Sequence, residues 1–474
     1  MKNVTYVTAF LDLHEDRSKD KSFDTCFAHF QYLINANIPI VVFLSRRFLD
    51  RIHPSEMITI VPIELEELET YKETTSNVLP LHRTDYHDTK HFMILMNSKI
   101  EFVRKAMDIV PSSHYAWIDF SIAHVLRKNE SAAFLHMVSK SSLKRCLLFP
   151  GCLEKNNGYS HVYDAVHWRF CGGFFIGDTQ SLTAMYDLYR KEYRHIVQHC
   201  NLWEVNVWSI LEHDYGCKPT WYYAGHDDSI IRFPTNYLYV VASLTTIPSR
   251  IHTSCKASID SLLHQVDHIY LSVATFYKRF STGIDIPDFF RQEPYCNKVT
   301  IVMGEDKGPA TKYLGALHLL QNTWIFFCDD DQIYSDIVPR MLQCVDSLHV
   351  YQNRYFNIRN TSSGGFIHGY VGNLVNSECL HSLQTFPLPE CAYHVDDQWM
   401  SIYYFIHNIM IRPTGIENYS DIYKTLDNHH ELIGVDSLAS LGTRDERVTQ
   451  LGEYFNVLFL KNCEIQYKYL VGTT

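Results

Sequence analysis

The order of landmarks along this chain repeats. An opening apolar strand, VTYVTAF, is followed by a helix-like stretch, FDTCFAHFQYLINAN, and a second strand, IPIVVFLS. Later come a strand that ends on Asp119 (HYAWIDF), a Gly-rich turn (RFCGGFFIGD), an acidic helix (LWEVNVWSILEHDY) and a late histidine (WYYAGHDDSI). After Pro234 the series restarts with strand YLYVVASL, helix CKASIDSLLHQV, strands HIYLSVA and NKVTIVMG, helix KYLGALHLLQ and strand WIFFCDDD. It then runs through turn GGFIHGYVGN, acidic helix HVDDQWMSIYYF and the His-containing DNHHELIG. Strands alternating with helices build parallel sheets with helices on their faces. The doubled order therefore predicts two α/β domains of one architecture, over residues 1–232 and 238–474. The length of 474 residues, too great for one ordinary core, fits two.

Bulk properties remove several function classes. A net charge of −11, with no clustering of Lys and Arg, argues against nucleic-acid binding through a phosphate backbone. No stretch approaches the roughly eighteen continuous apolar residues of a membrane span. The N-terminal run MKNVTYVTAFLDLHEDR is broken by Asp12 and lacks a small-residue cleavage pattern, so it reads as a first strand. Thirteen cysteines, scattered without a CxxC pair, predict free thiols in a reducing compartment and hence a cytoplasmic protein.

The chemistry concentrates in FFCDDDQIY, where Asp329, Asp330 and Asp331 follow directly on the apolar run WIFFC. In an open parallel sheet, ligands bind beyond the carboxyl ends of the strands. Three adjacent carboxylates repel one another and stay ionised at low cost only beside a cation. Mn²⁺ or Mg²⁺ suits them, since hard ions take oxygen ligands and complete their shells with substrate phosphates. An Asp-x-Asp arrangement thus suggests a diphosphate held through a metal; a solvated turn with acidic helix caps is the plain alternative. A haloacid-dehalogenase-type phosphatase would use Asp329 as nucleophile and Asp396 and Asp397 as its later acidic pair. That fold opens with its nucleophile strand, whereas here a strand-helix-strand-helix region, Tyr239 to Gln321, comes first. Lys312 in GPATK and Arg250 in IPSR are candidates for a donor phosphate. Gly365, Gly369 and Gly372 are candidates for close backbone approach to a sugar.

The elements SLTTIPSR (Ser243 to Arg250), GPATKYLGAL (Gly308 to Leu317) and DDDxxY make the second half resemble a GT-A-type glycosyltransferase, similar to family 2-like enzymes. The resemblance implies a Rossmann-like nucleotide-diphospho-sugar transferase fold in which Asp329 and Asp331 form the DxD motif. Asp331 would be the direct metal ligand, Asp329 and Asp330 would lie at the donor, and His429 or His430 would supply a late metal ligand. The Asp396, Asp397 pair matches the motif that supplies the general base in inverting enzymes, with Asp397 the first choice.

The first half, through YVTAFLDL, MNSKIEFVRKA, YAWIDFS and CGGFFIGD, resembles the bacterial HtrL/YibB family, a glycosyltransferase-like group. Its acidic motif is reduced to Asp119 with Ser121 two residues on, so a standard DxD is absent. The resemblance would make Asp119 a metal ligand completed by His226 or Asp227, Glu204 the base, Lys99 and Ser121 donor-facing and Gly173 acceptor-facing. The expected activity is transfer of a sugar from a UDP- or GDP-sugar donor to a hydroxyl of a glycan or glycoprotein, bifunctional if both halves turn over. A phosphatase and a non-catalytic carbohydrate-binding scaffold are the alternatives.

Overall fold

The computed structural model describes residues 2–13, 22–126, 128–353, 365–416, 423–425, 443–459 and 465–468. The chain divides into two compact units, Met1–Tyr237 and Leu238–Thr474.

The first unit contains β1 (Lys2–Phe10), α1 (Phe23–Asn35), β2 (Ile40–Leu44), β3 (Ile58–Pro62), α2 (Lys99–Ile109), β4 (Ser112–Ile118) and β5 (Leu147–Gly151). β6 (Phe174–Asp178), α3 (Thr179–Ile196), α4 (Glu204–Asp214) and β7 (Thr220–Tyr223) follow, and further helices lie at Glu69–Glu73, Lys90–Asn97 and Asn129–Ser139. Seven strands form one sheet in the order β3-β2-β1-β4-β6-β5-β7. β1 is flanked by parallel β2 and β4, while β6 runs antiparallel to both β4 and β5. β2, IVVFL, is buried at every position, as a strand covered on both faces must be. Local chemistry sets the helix starts: Ser22 accepts from the amide of Thr25 at the head of α1, and Asp178 from that of Ser181 at the head of α3. α4 reads as acidic, yet everything from Glu204 to Glu212 is buried, with Trp208 fully enclosed. Glu212 escapes isolation through two 2.8 Å hydrogen bonds donated by the Arg169 guanidinium.

The second unit contains β8 (Val240–Thr245), α5 (Ser254–Leu262), β9 (His268–Ala274), β10 (Val299–Gly304), α6 (Thr311–Leu314), β11 (Trp324–Phe327), β12 (Gln332–Tyr334) and β13 (Val350–Gln352). β14 (Asn373–Asn376), α7 (Asp396–Ile406), β15 (Ile411–Pro413) and β16 (Tyr423–Thr425) follow, then β17 (Val457–Phe459) and β18 (Ile465–Tyr467). Its main sheet has the order β10-β9-β8-β11-β14-β13-β15, and β12 pairs with β16 and β17 with β18 outside it. The helix expected over residues 312–321 is shorter: α6 ends at Leu314 and a 3₁₀ turn, Leu317–Leu319, follows. Gly315, just beyond α6, packs so closely on β9 that a Cβ there would stand 2.4 Å from Ser272.

Counted in chain order, the strands of both sheets read third, second, first, fourth, sixth, fifth, seventh, with the same parallel and antiparallel neighbours. These are two Rossmann-like α/β domains. In each, the chain winds outward from its first strand and returns to lay the fourth strand on that strand's other side. Such a switch point opens a crevice beyond the carboxyl ends of strands one and four. Asp119 follows β4, and Asp329 to Asp331 follow β11. The cysteines among the described residues are free thiols, and no helix among those residues is long and apolar enough to cross a membrane.

Candidate functional site

At the carboxyl edge of the second sheet, β11 delivers its last apolar side chain, Cys328, fully buried, and then its three carboxylates. Enclosing charge is costly unless it is paired. Two cations do the pairing. The Lys312 ammonium, carried on α6 and only 3% exposed, stands 2.7 Å from Asp329 Oδ1, 2.9 Å from Asp396 Oδ2 and 3.8 Å from Asp397 Oδ1. The Asp396 contact is an ion pair without hydrogen-bond alignment, and that buried oxygen accepts no hydrogen bond. The Arg250 guanidinium reaches Asp330 Oδ1 at 2.9 Å and Asp331 Oδ2 at 3.2 Å. Thr246 donates its hydroxyl to Asp330 Oδ2 at 2.6 Å, and the Gln332 amide donates to Asp331 Oδ1 at 3.0 Å.

These carboxylates line a cavity of about 240 Å³. Its rim holds six carboxylates, Asp306, Asp329, Asp330, Asp331, Asp396 and Asp397, against three cations, Arg250, Arg279 and Lys312. Burial dominates the titration of the site. Burial pushes Asp329 up to about 6, against the pull of Lys312 and with Asp331 and Asp396 adding to the rise. Burial, reinforced by Asp396, pushes Asp397 up to about 7. Asp330 is also raised by burial, although Arg250 opposes it. Burial works against the charge of Lys312, but Asp329 and Asp396 overcome it and hold the ammonium well above its ordinary value.

The opposite wall is aromatic, and no sequence signal marks it. Tyr277 and Phe280 face the cavity, with Ile247 and Pro309. Asp306 is fixed there by amide donors from Gly308 (2.9 Å) and Lys278 (2.8 Å) and by the Tyr393 hydroxyl (2.5 Å). Asp306 and Gly308 lie inside the stretch GEDKGPATK, but nothing in the sequence pairs them with Tyr393.

Gly369 belongs to the lysine cluster. Its amide donates to Asp397 Oδ2 at 2.9 Å, and a Cβ there would lie 2.4 Å from Lys312 Nζ, 2.9 Å from Asp397 Oδ1 and 3.0 Å from Asp329 Oδ1. Gly372 serves the backbone instead, with φ at +76° and the Phe326 ring only 2.1 Å from where a Cβ would stand. Lys312, expected at a donor phosphate, spends its ammonium on carboxylates. Arg250, expected there too, is engaged by Asp330 and Asp331. His429 and His430 lie outside the described residues.

In the first unit Lys99, at the head of α2 and 1% exposed, stands 3.0 Å from Asp119 Oδ1 and 2.8 Å from Glu204 Oε1, and donates to the Gly172 carbonyl at 2.9 Å. Burial opposes its charge, but Asp119 and Glu204 raise its affinity for the proton overall. Trp117 Nε1 donates to Asp119 Oδ1 at 2.8 Å, and a Cβ on Gly173 would come within 3.7 Å of Asp119 Oδ2. Ser121 bonds His29 Nδ1 at 2.7 Å. His226 packs near the His124 ring, 5.7 Å between centroids, and Asp227 is taken up by the amide and hydroxyl of Ser229, so the expected completion of Asp119 by these residues is not assembled. Gly172, which sequence alone does not single out, also belongs here; a Cβ on it would fall 2.1 Å from Glu204 Oε1.

The donor set in the second unit, hard carboxylate oxygens short of positive charge, suits a hard divalent cation. As the side chains stand, however, no group of three or more His, Cys, Asp or Glu among the described residues converges on a common point. The carboxylates that would hold one, Asp329 and Asp331, are turned towards Lys312 and Arg250.

No family model and no curated protein matches the chain. Among solved structures it overlaps the galactosyltransferase LgtC in complex with donor and acceptor sugar analogues, at 10% identity over 50% of this chain and 75% of that one, with a TM-score of 0.28. It also overlaps 4-diphosphocytidyl-2C-methyl-D-erythritol synthase from Anaerococcus prevotii, at 10% identity over 46% of this chain and 97% of that one, with a TM-score of 0.27. S. aureus TarS aligns at 14% identity over 46% of this chain and 43% of its own, with a TM-score of 0.28. At these scores the overlaps carry no functional weight.

Proposed function

We propose that the second domain is a divalent-metal-dependent glycosyltransferase that moves a sugar from a nucleotide-sugar donor, UDP- or GDP-linked, to a hydroxyl of a glycan or glycoprotein acceptor with inversion. The observation that carries this reading is the cavity at the switch point, where six carboxylates meet three cations. Asp329 and Asp331 would hold Mn²⁺ or Mg²⁺, which when bound supplies positive charge to the departing diphosphate.

The remaining work falls to this chain's side chains. Asp397, with its proton affinity raised to about 7 and its orientation fixed by the Gly369 amide, accepts the acceptor hydroxyl's proton near neutral pH. Asp396 shares Lys312 with Asp329 and so fixes the distance between the base and the donor side. Arg250 and Thr246 hold Asp330 and keep the acidic turn in place. Tyr277 and Phe280 offer flat apolar faces to a nucleobase or sugar ring.

Incubating the purified protein with a panel of sugar nucleotides and Mn²⁺ tests the reading. Slow donor hydrolysis that disappears with chelator and in Asp331→Ala supports it; hydrolysis at an unchanged rate in that variant removes the assignment. A phosphate ester that traps an aspartyl-phosphate on Asp329 would favour the phosphatase chemistry instead.

A further inference from the structure

The two domains share more than strand order. In each, a lysine on the helix before the fourth strand is sealed from solvent: Lys99 is 1% exposed and Lys312 3%. In each, that ammonium holds a carboxylate at the end of the fourth strand, at 3.0 Å for Asp119 and 2.7 Å for Asp329, and these two side chains are 31% and 32% exposed. In each, the other side of the ammonium is taken by an acidic residue in the first turn of the last helix before the seventh strand, Glu204 at 2.8 Å and Asp396 at 2.9 Å. And in each, a glycine lies against the charged groups, Gly172 and Gly369, where a Cβ would stand 2.1 Å from Glu204 Oε1 and 2.4 Å from Lys312 Nζ. A plain structural ion pair requires neither the matching glycine nor a carboxylate left one-third open at the sheet's switch point.

The domains differ in charge. The second adds Asp330, Asp331 and Asp397 to the cluster, with Arg250 as the added cation. The first has Phe120 and Ser121 in the corresponding turn, so Lys99 answers two carboxylates. Its fringe is imidazole: Ser121 bonds His29, His124 Nδ1 lies 2.6 Å from the Ser121 carbonyl, and the His226 ring is beside His124. Imidazoles can donate to an anionic ligand where further carboxylates would repel it.

We infer that the first domain carries a second nucleotide-sugar site, centred on Asp119, in which Lys99 holds the two carboxylates and imidazole, rather than a divalent cation, meets the diphosphate. The inference rests on the reading of the second domain as a nucleotide-sugar site, because it transfers that ligand class by the shared lysine, carboxylate and glycine parts. Asp119 is then the ligand-facing carboxylate, and Lys99 and Glu204 are positioning residues behind it.

Equilibrium dialysis of the full chain with labelled UDP-glucose and GDP-mannose separates the two sites. In Mn²⁺ the wild type is expected to bind two equivalents of one probe; in EDTA, one. Asp331→Ala should lose the manganese-dependent equivalent and keep the other. Asp119→Asn should weaken the EDTA-resistant binding by at least about tenfold, the loss of one hydrogen bond to a charged group. Asp119→Glu, which keeps the charge beside Lys99 but displaces it, should weaken it as well, with far-UV circular dichroism confirming that both variants are folded. Absence of EDTA-resistant binding, or EDTA-resistant binding unaltered in both variants, overturns the inference. Absence of the manganese-dependent equivalent overturns the reading of the second domain, so the two failures are told apart.

Discussion

The Lys312 ammonium stands 2.7 Å from Asp329 on a side chain that is all but sealed from water. It is shared with Asp396, so a single cation ties the end of β11 to the head of α7. Removing one partner of a buried ion pair leaves the others uncompensated, at a cost of about 3–5 kcal/mol. Lys312→Met is therefore expected to lower the urea midpoint sharply at pH 8. The loss should be smaller at pH 5, where the stranded carboxylates can take up protons.

Gly369 and Gly304 make a matched pair of substitutions. Alanine at 369 must enter space already held by Lys312, Asp397 and Asp329, whereas nothing lies within 4 Å of a Cβ at 304. Gly369→Ala should cost about 1–3 kcal/mol by overpacking and abolish donor hydrolysis. Gly304→Ala should stay within about 0.5 kcal/mol of wild type. Thermal denaturation with a parallel activity assay reads both.

Asp329 and Asp397 titrate above their unfolded-chain values, at about 6 and about 7. The folded protein thus binds these protons more tightly than the unfolded chain does. Their contribution to stability is complete below about pH 4 and is lost as pH rises through 6 and 7. In metal-free buffer, the Asp397→Asn variant should gain in melting temperature relative to wild type as pH is raised from 5 to 8. A difference that stays flat with pH would contradict the assignment.

Ligand carboxylates must be deprotonated to bind a cation. Manganese is accordingly expected to raise the wild-type melting temperature more at pH 8 than at pH 5, and chelator to reverse it. Arg250→Gln removes the guanidinium that stands 3.2 Å from Asp331. This variant should melt lower than wild type without metal and gain more from Mn²⁺, because the carboxylates it leaves unbalanced turn to the ion.

The overall architecture is readable in the sequence because its signals are local. Runs such as IPIVVFLS and WIFFC declare buried strands, and their order sets the sheet. The acidic residues at a strand end, Asp329 to Asp331, and at a helix head, Asp396 and Asp397, can be marked for the same reason. What joins them cannot. Lys312 meets Asp329 from 17 residues away, and its neighbour Tyr313 reaches Asp397 from 84; no periodicity carries pairing at that distance. Sequence alone therefore presents Lys99 and Lys312 as cations waiting for phosphate, although folding commits both to carboxylates. The aromatic wall of Tyr277 and Phe280 is hidden for a related reason, since aromatic residues are 14% of the chain and most serve the core. The close approach of Gly315 to β9 is equally hidden, because that strand is remote in sequence.

The two seven-stranded sheets share no strand. Each half closes its own hydrogen-bond ladder, so a substitution that loosens one need not unravel its twin.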